Sequence, residues 1–283
     1  MIKSNTKKGC LFILLGILIT IVIIVVALYL GFKNTSSTYL EKFGISSIGE
    51  LIDIVDSINE PINENDLIKN GFSANDYLTA KTKLINSGIN MFDSTNGDID
   101  IEKINATNEF VPVLSLELTE AELGALINNA TKNIDAEFIS EDYEIIISLI
   151  SFDLIYSDSN NVVLDCVIKA DTSNIKAELG ILQSLMPESL YLSFSVSLSA
   201  EENYNVSVSD ITINKLTETK NEKVLNVLCS LIKSRNTELE VYTIVNLEAD
   251  FANSLENCIN ALMQKITGTT IFTINGIELN IAG

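Results

Sequence analysis

Ser230 and Lys233 match a known catalytic pattern by their spacing. In serine acyl enzymes of the S-x-x-K type, the lysine lies one helical turn from the serine and activates it. The S-D-N and K-T-G elements that accompany this pattern are absent from the chain. We therefore interpret the match as a coincidence on an amphipathic helix and predict no catalytic residue there.

The acidic turn at 92–103 resembles a calcium loop because it is rich in oxygen ligands. In an EF-hand the glycine lies five residues after the first acid, whereas Gly97 lies four residues after Asp93. This register favours a polar turn between a helix and a strand. A second group of acids is interpreted as a solvated surface, so that no metal and no cofactor are predicted. Its members are Asp135, Glu137, Glu141, Asp142 and Glu144.

The composition also argues against an enzyme. The chain contains no histidine, which removes His-based triads, His general bases and the commonest metal ligand. No glycine-rich phosphate loop is present. Cys166, Cys229 and Cys258 are interpreted as buried small apolar residues, with a Cys229–Cys258 disulfide left open. We predict a non-enzymatic protein.

Residues 9–32 are predicted to cross a membrane. These 24 residues carry no charge, and at about 1.5 Å per residue a helix of this length spans the roughly 30 Å hydrocarbon layer. The tail at 1–8 holds Lys3, Lys7 and Lys8 and no acid, which favours a cytoplasmic N-terminus. The apolar run is too long for a cleavable signal peptide and lacks a small-residue cleavage site. We therefore expect an uncleaved single-pass anchor in the cell membrane and an extracellular C-terminal domain.

The exported part is strongly acidic. Without the three N-terminal lysines, 15 basic residues stand against 38 acids, a net charge of −23. Binding to nucleic acid or to anionic lipid depends on Lys and Arg contacts to phosphate, so neither is expected as an electrostatic partner. A solvated surface explains the acidity best, although a cationic partner remains compatible with it.

After a polar linker at 33–38, residues 39–110 are predicted to form a helical stalk or subdomain. An amphipathic helix is expected over 39–58, and Pro61 ends it. A second helix is expected from Ser73, where Asp76 completes a capping-box spacing, toward Phe92. The polar segment 93–98 then interrupts the helical pattern.

Residues 111–283 are predicted to form an antiparallel α+β domain. Hairpin strands are expected at 143–156 with 162–170, at 190–198 with 204–208, and at 270–274 with 277–281, and a bulge is expected after Asp210. A strand at 111–118 leads into a helix capped by Thr119 and Glu122, and Leu239–Val245 is predicted as a strand. Further helices are expected at 174–186, from a capping box at Thr219, and around 251–266, where Gly268 ends the last one.

The run Val113–Asn128, the hairpin through Val206–Leu216 and the N-terminal anchor resemble the YpmS-like proteins of Gram-positive bacteria. This resemblance covers roughly residues 110–281 and consists mainly of hydrophobic patterns. It implies an extracytoplasmic domain of unassigned activity, related to tubular lipid-binding folds. It supplies no catalytic residues.

Two functions remain for a domain without a catalytic constellation. A curved antiparallel sheet that wraps a helix can leave an apolar groove, which would bind a lipid-like ligand or an apolar segment of a partner in the cell envelope. The alternative is an envelope scaffold in which the helices at 39–92 bind another protein. The pattern does not identify the ligand, the biological process or the oligomeric state.

Overall fold

The structure is a computed structural model, and it describes residues 45–89, 91–100, 116–132, 146–157, 161–178, 183, 186–200, 204–235, 242–267, 273–275 and 278–281. The α-helices of this part of the chain are α1 (Ile48–Ile58), α2 (Ala74–Asn86), α3 (Glu120–Lys132), α4 (Ser173–Glu178), α5 (Glu218–Arg235) and α6 (Ile244–Thr267). The strands are β1 (Leu116–Thr119), β2 (Ile146–Ser157), β3 (Asn161–Asp171), β4 (Ser189–Ala200), β5 (Tyr204–Ile213), β6 (Thr273–Asn275) and β7 (Glu278–Ile281).

A four-stranded antiparallel sheet is the centre of the fold. Its strands follow one another in the order β2-β3-β4-β5, so each pairs with the next strand along the chain, and the connection from β3 to β4 contains α4. Apolar and polar residues largely alternate along β3 and β4, which places most of the apolar ones on one face, while Val163, Val167 and Tyr191 lie on the other. The predicted antiparallel α+β class is therefore confirmed.

The apolar face of this sheet is covered by helices. Phe194 of β4 packs edge to face on Phe251 of α6, with the ring centroids 5.0 Å apart. Residues of α1, α2, α3 and α5 belong to the same buried cluster. Ile54 and Ala80 are examples, so the segment for which the sequence predicts a stalk or subdomain contributes to the core of the sheet.

The bulge expected after Asp210 is confirmed. Asp210 has a φ of 57°, and the register of β4 with β5 shifts between Ser193 and Ser195. The extra residue changes the alternation on β5, so that Val208, Ile211 and Ile213 all lie on the buried face.

The second sheet has the order β1-β7-β6. Its β6–β7 pair confirms the predicted C-terminal hairpin, while the pairing of β7 with β1 had no signal in the local sequence. The capping box predicted between β1 and α3 is also confirmed, since Thr119 and Glu122 exchange two hydrogen bonds at the start of α3.

Several predicted boundaries are wrong. Helix α1 begins only at Ile48, because the Ser47 side chain accepts from Glu50 N–H and caps it. Residues 39–44 of that predicted helix lie outside the described residues. Helix α2 ends at Asn86, ahead of Gly88 with its φ of 83°, and α4 ends at Glu178.

Two C-terminal predictions also fail. Helix α5 begins at Glu218, before the expected cap Thr219, because the Asn221 side chain is drawn inward and bonds the backbone of Ile211 and Ile213. Ile244 and Val245 are helical, although a strand was expected, because Thr243 and Asn246 form a cap before them.

The predicted membrane span at 9–32 lies outside the described residues. Within the described ranges, no helix combines the length and the apolar character needed to cross a bilayer. The anchor and the extracellular placement of the domain therefore stay predictions.

Candidate functional site

Helix α2 is fixed at its N-terminus. Ser73 Oγ accepts from Asp76 N–H at 3.3 Å, and the Asp76 carboxylate accepts from Ser73 N–H at 2.7 Å, which confirms the predicted capping box. The hydrogen bonds from Ser73 hold the pKa of Asp76 below its usual value. Just before the cap, Phe72 packs so closely on Gly124 of α3 that a Cβ there would lie 2.6 Å from the ring. The start of α2 is therefore held against α3.

The inward side of α2 is buried. Ala80 is 0% and Leu84 2% exposed, and both lie in the main core cluster. Tyr77 donates a hydrogen bond of 2.8 Å to the carbonyl of Gly97, and its ring meets Phe92 edge on at 6.3 Å. These contacts determine which side of the helix faces solvent.

The charged residues of α2 all have partners within the protein. Lys81 Nζ donates to the Gly97 carbonyl at 2.6 Å. Lys83 Nζ forms an ion pair of 2.8 Å with Glu122, whose side chain is 6% exposed. Asp76 is used in the cap. All three residues are half-buried, and Lys83, whose side chain is 39% exposed, lies at the edge of the exposed side of the helix.

That exposed side carries no charge at all, and we call it the neutral face of α2. Its residues are Ala74, Asn75, Leu78, Thr79, Thr82, Ile85 and Asn86. Leu78 is 58% and Ile85 47% exposed, and they lie seven residues apart on one side of the helix. The hydroxyls of Thr79 and Thr82 donate hydrogen bonds to the carbonyls four residues earlier, so their hydrogen-bonding needs are met within the helix.

A neutral exposed helix face is unusual in a chain with 38 acids and a net charge of −20. The solvent side of a surface helix is normally charged. Depletion of charged residues is instead the composition found in the centre of protein interfaces. The other large apolar side chains that are exposed in the described residues are Ile52, Ile155 and Val245, each on a different element.

The apolar groove expected at the sheet is closed where the structure describes it. Leu164, Phe194 and Val196 on the inner face are all less than 10% exposed, and Leu247 and Phe251 of α6 that cover them are 0% and 1% exposed. The inner face is therefore packed as a core in this part of the chain.

The outer face of the sheet holds a carboxylate pair with a lysine. Asp153 and Asp165 lie directly opposite each other on β2 and β3, and Lys69 Nζ lies 3.8 and 2.7 Å from them. Burial raises the pKa of Asp165, but hydrogen bonds from Lys69 and Ser195 outweigh it and leave the pKa below its usual value. The lysine occupies the position that a cation would need.

A second lysine fastens the segment before α2 to the same face. Lys169 Nζ lies 2.6 Å from Glu64, whose carboxylate also accepts from the Tyr191 hydroxyl at 3.1 Å. Leu67 packs nearby on Tyr191 and Val167 in a small apolar cluster. These contacts are structural, because both charged groups are already paired.

A pocket of about 230 Å³ lies between the end of α1 and the start of α5. Lys215 and Lys220 line it together with Glu60 and Asp66. Lys220 is bound within the protein, at 2.9 Å from Asp53 and 2.6 Å from Ser57 Oγ. The mixed charges do not select one class of ligand.

The structure describes only some of the residues that the sequence singled out. Ser230 and Lys233 lie one turn apart on α5. Asp93 closes a tight turn, accepting from Thr95 N–H with its carboxylate and from Gly97 N–H with its carbonyl. The acids at 135–144 lie outside the described residues. Within the described ranges, no three acidic or cysteine side chains are arranged to hold a metal.

The cysteines follow the apolar interpretation. Cys166 and Cys229 are free thiols, 7% and 2% exposed, so Cys229 forms no bridge with Cys258. Burial raises the pKa of Cys166 to about 12 and that of Cys229 to about 11. Neither thiol is activated as a nucleophile.

Comparison with known proteins adds no relative. No family model, no curated protein and no solved structure matches the chain. The resemblance to YpmS-like proteins therefore stays an expectation. The candidate functional site is the neutral face of α2, which sequence reasoning assigned only broadly to the helices at 39–92.

Proposed function

We propose that this chain is a non-enzymatic, membrane-anchored envelope protein that docks a partner protein through the neutral face of α2. The observation that carries the proposal is the absence of charge from every fully exposed residue of a rigidly held helix. The anchor and the cellular location rest on the apolar segment at 9–32.

The two exposed apolar side chains contribute a modest part of the free energy that a docked partner would need. Full burial of a leucine or isoleucine is worth about 1.5–3 kcal/mol. Scaled by the exposed fractions of 58% and 47%, burial of the remaining surface contributes about 0.9–1.7 kcal/mol for Leu78 and about 0.7–1.4 kcal/mol for Ile85. Because α2 is already ordered, docking costs little backbone entropy.

Docking fits these observations better than enclosure of a lipid-like ligand. A ligand would have to enter the apolar face of the sheet, where the described side chains already pack against α6 and the other helices. Attraction to an anionic membrane surface also lacks support, since Lys81 is bound to the Gly97 carbonyl and Lys83 is paired with Glu122.

The proposal is tested by photo-cross-linking in cells that make the protein naturally. A photoreactive amino acid replaces Thr82, in the middle of the neutral face, or Asn253, an exposed residue of α6 that serves as the control. We expect a defined protein adduct from position 82 and none from position 253.

The adduct must depend on the two apolar side chains. The double variant Leu78→Ser, Ile85→Ser should abolish it, while the matched variant Ile155→Ser, Val245→Ser removes two equally exposed apolar residues elsewhere and should leave it unchanged. An adduct that survives the first variant, or equal adducts from both positions, would show that α2 is not the docking surface.

A further inference from the structure

We propose that the protein docked on the neutral face of α2 is a second copy of this chain, with the two α2 helices antiparallel about a two-fold axis. This inference rests on the docking function proposed above and specifies its partner. It follows from the order of the exposed residues, from the charge of the molecule and from the size of the side chains at the centre of the helix.

The neutral face is nearly the same when read in either direction. From its first polar residue onward it runs Asn75, Leu78, Thr79, Thr82, Ile85, Asn86. Reversed, it runs amide, aliphatic, threonine, threonine, aliphatic, amide again. A two-fold interface requires this property, because a residue that contacts another across the axis must be contacted by it in return.

The spacing fits an antiparallel pair as well. The two asparagines and the two threonines share one midpoint along the helix, and the midpoint of Leu78 and Ile85 lies one residue further, about 1.5 Å along the axis. Leu78 of one copy would therefore face Ile85 of the second copy. Thr79 would face Thr82 at the centre, and an amide would close each end.

The charge distribution leaves the neutral face as a surface where two copies can meet with little local repulsion. Each copy carries a net charge of −20, so two copies repel each other across most of their surface. The neutral face lets two helices approach without placing acids against acids. A cationic partner would instead be drawn to acidic surface, which α2 does not offer.

The central threonines permit close approach. Their hydroxyls donate hydrogen bonds to the Asn75 and Leu78 carbonyls of their own helix, so these donors need no hydrogen-bond partner across the interface. Small side chains at a helix crossing let the backbones pack closely. A thirteen-residue helix buries less area than a standard interface, so the dimer should be in equilibrium with the monomer, and anchoring in one membrane would raise its effective concentration.

The first test measures self-association of the full-length chain in mild detergent by sedimentation velocity over a range of concentrations. We expect a concentration-dependent monomer–dimer equilibrium. In a two-fold pair each substituted residue occurs twice, so Leu78→Ser with Ile85→Ser should raise the dissociation constant about 100-fold or more, and Ile155→Ser with Val245→Ser should not change it.

The second test reads the direction of the helices. In a background with Cys10→Ser and Cys258→Ser, copies carrying Thr79→Cys are mixed with copies carrying Thr82→Cys under mild oxidation. Antiparallel packing predicts that the mixed disulfide forms faster than either symmetric one. Faster symmetric disulfides would indicate parallel helices and overturn the inference.

The outcomes separate this inference from the function on which it rests. A monomer at all concentrations, or a dimer that both double variants leave intact, overturns the inference. If the monomer still gives the position-82 adduct with a different protein, docking stands and only the identity of the partner is wrong. If that adduct is also missing, both proposals fail.

Discussion

Asn214 connects three parts of the fold, and the loss of stability should differ in a predictable way among variants at this position. Its side-chain Oδ1 accepts from Tyr191 N–H at 2.7 Å, and its Nδ2 donates to the Ile58 carbonyl at 2.8 Å. The residue is 5% exposed and has a φ of 46°. One amide thus joins the end of α1 to β4 in a backbone conformation that asparagine tolerates better than alanine.

The expected losses follow from these contacts. Asn214→Ala leaves the Tyr191 N–H and the Ile58 carbonyl without their partners, at about 1–3 kcal/mol each, and adds about 1 kcal/mol for a Cβ at positive φ. We expect a loss of about 3–7 kcal/mol. Asn214→Gly loses the same hydrogen bonds but avoids the backbone strain, so it should lose about 1 kcal/mol less. Asn214→Asp keeps the acceptor for Tyr191 N–H but turns a second carboxylate oxygen toward the Ile58 carbonyl in a buried site, so at neutral pH it should be no more stable than the glycine variant.

The assay is urea unfolding of the full-length chain in mild detergent, followed by far-UV circular dichroism. The midpoint of the glycine variant should lie above that of the alanine variant and both below that of the parent, with an unchanged slope. Asn253→Ala, at an exposed position of α6, serves as the control and should stay within about 0.5 kcal/mol of the parent. Equal losses for glycine and alanine would refute the strain argument, and losses below about 1 kcal/mol for both would refute the hydrogen-bond argument.

Three further predictions concern acid, thiols and lipid. The pKa values of Glu64, which accepts from Lys169, and of Asp76 are lowered in the folded state, so the stability they contribute should be present above about pH 4 and lost as the pH falls through their lower folded-state values. Urea midpoints measured from pH 7 to pH 2 check this. The Glu64→Gln variant should lose less stability between these pH values than the parent protein does. Cys166 and Cys229 should resist a maleimide reagent in the folded protein and react after denaturation, and rapid labelling without urea would contradict their burial. Mass spectrometry of lipids that co-purify with the full-length chain should find no single species at one per protein, whereas a stoichiometric lipid would favour the groove hypothesis over docking.

The parts of the fold that local sequence determines were predictable. The capping boxes at Ser73 and Thr119 and the alternation along β4 depend on residues at most a few positions apart, and all three are present. The start of α5 was not predictable in this way. There Asn221 bonds the backbone of β5, a tertiary contact that moves the helix start away from the expected cap.

The candidate site depends even more on tertiary contacts. The sequence places Lys81 and Lys83 on α2, where both would ordinarily point to solvent and make the helix surface charged. The Gly97 carbonyl and Glu122 bind these lysines at the two sides of the exposed face, and neither contact is visible in the sequence of α2. A neutral docking face therefore could not be inferred from the residues of α2 alone, although their spacing contains its near-symmetry.

The pairing of β7 with β1 has a consequence for the order of folding. In the central sheet every strand pairs with its neighbour in the chain. The paired residues are therefore close in sequence, and this sheet can form early. The second sheet must wait, because Leu118 pairs with Leu279, a residue made much later. During synthesis the β1 edge stays unsatisfied until the last hairpin emerges, and this is the interval in which the nascent chain is most exposed to mispairing with other strands.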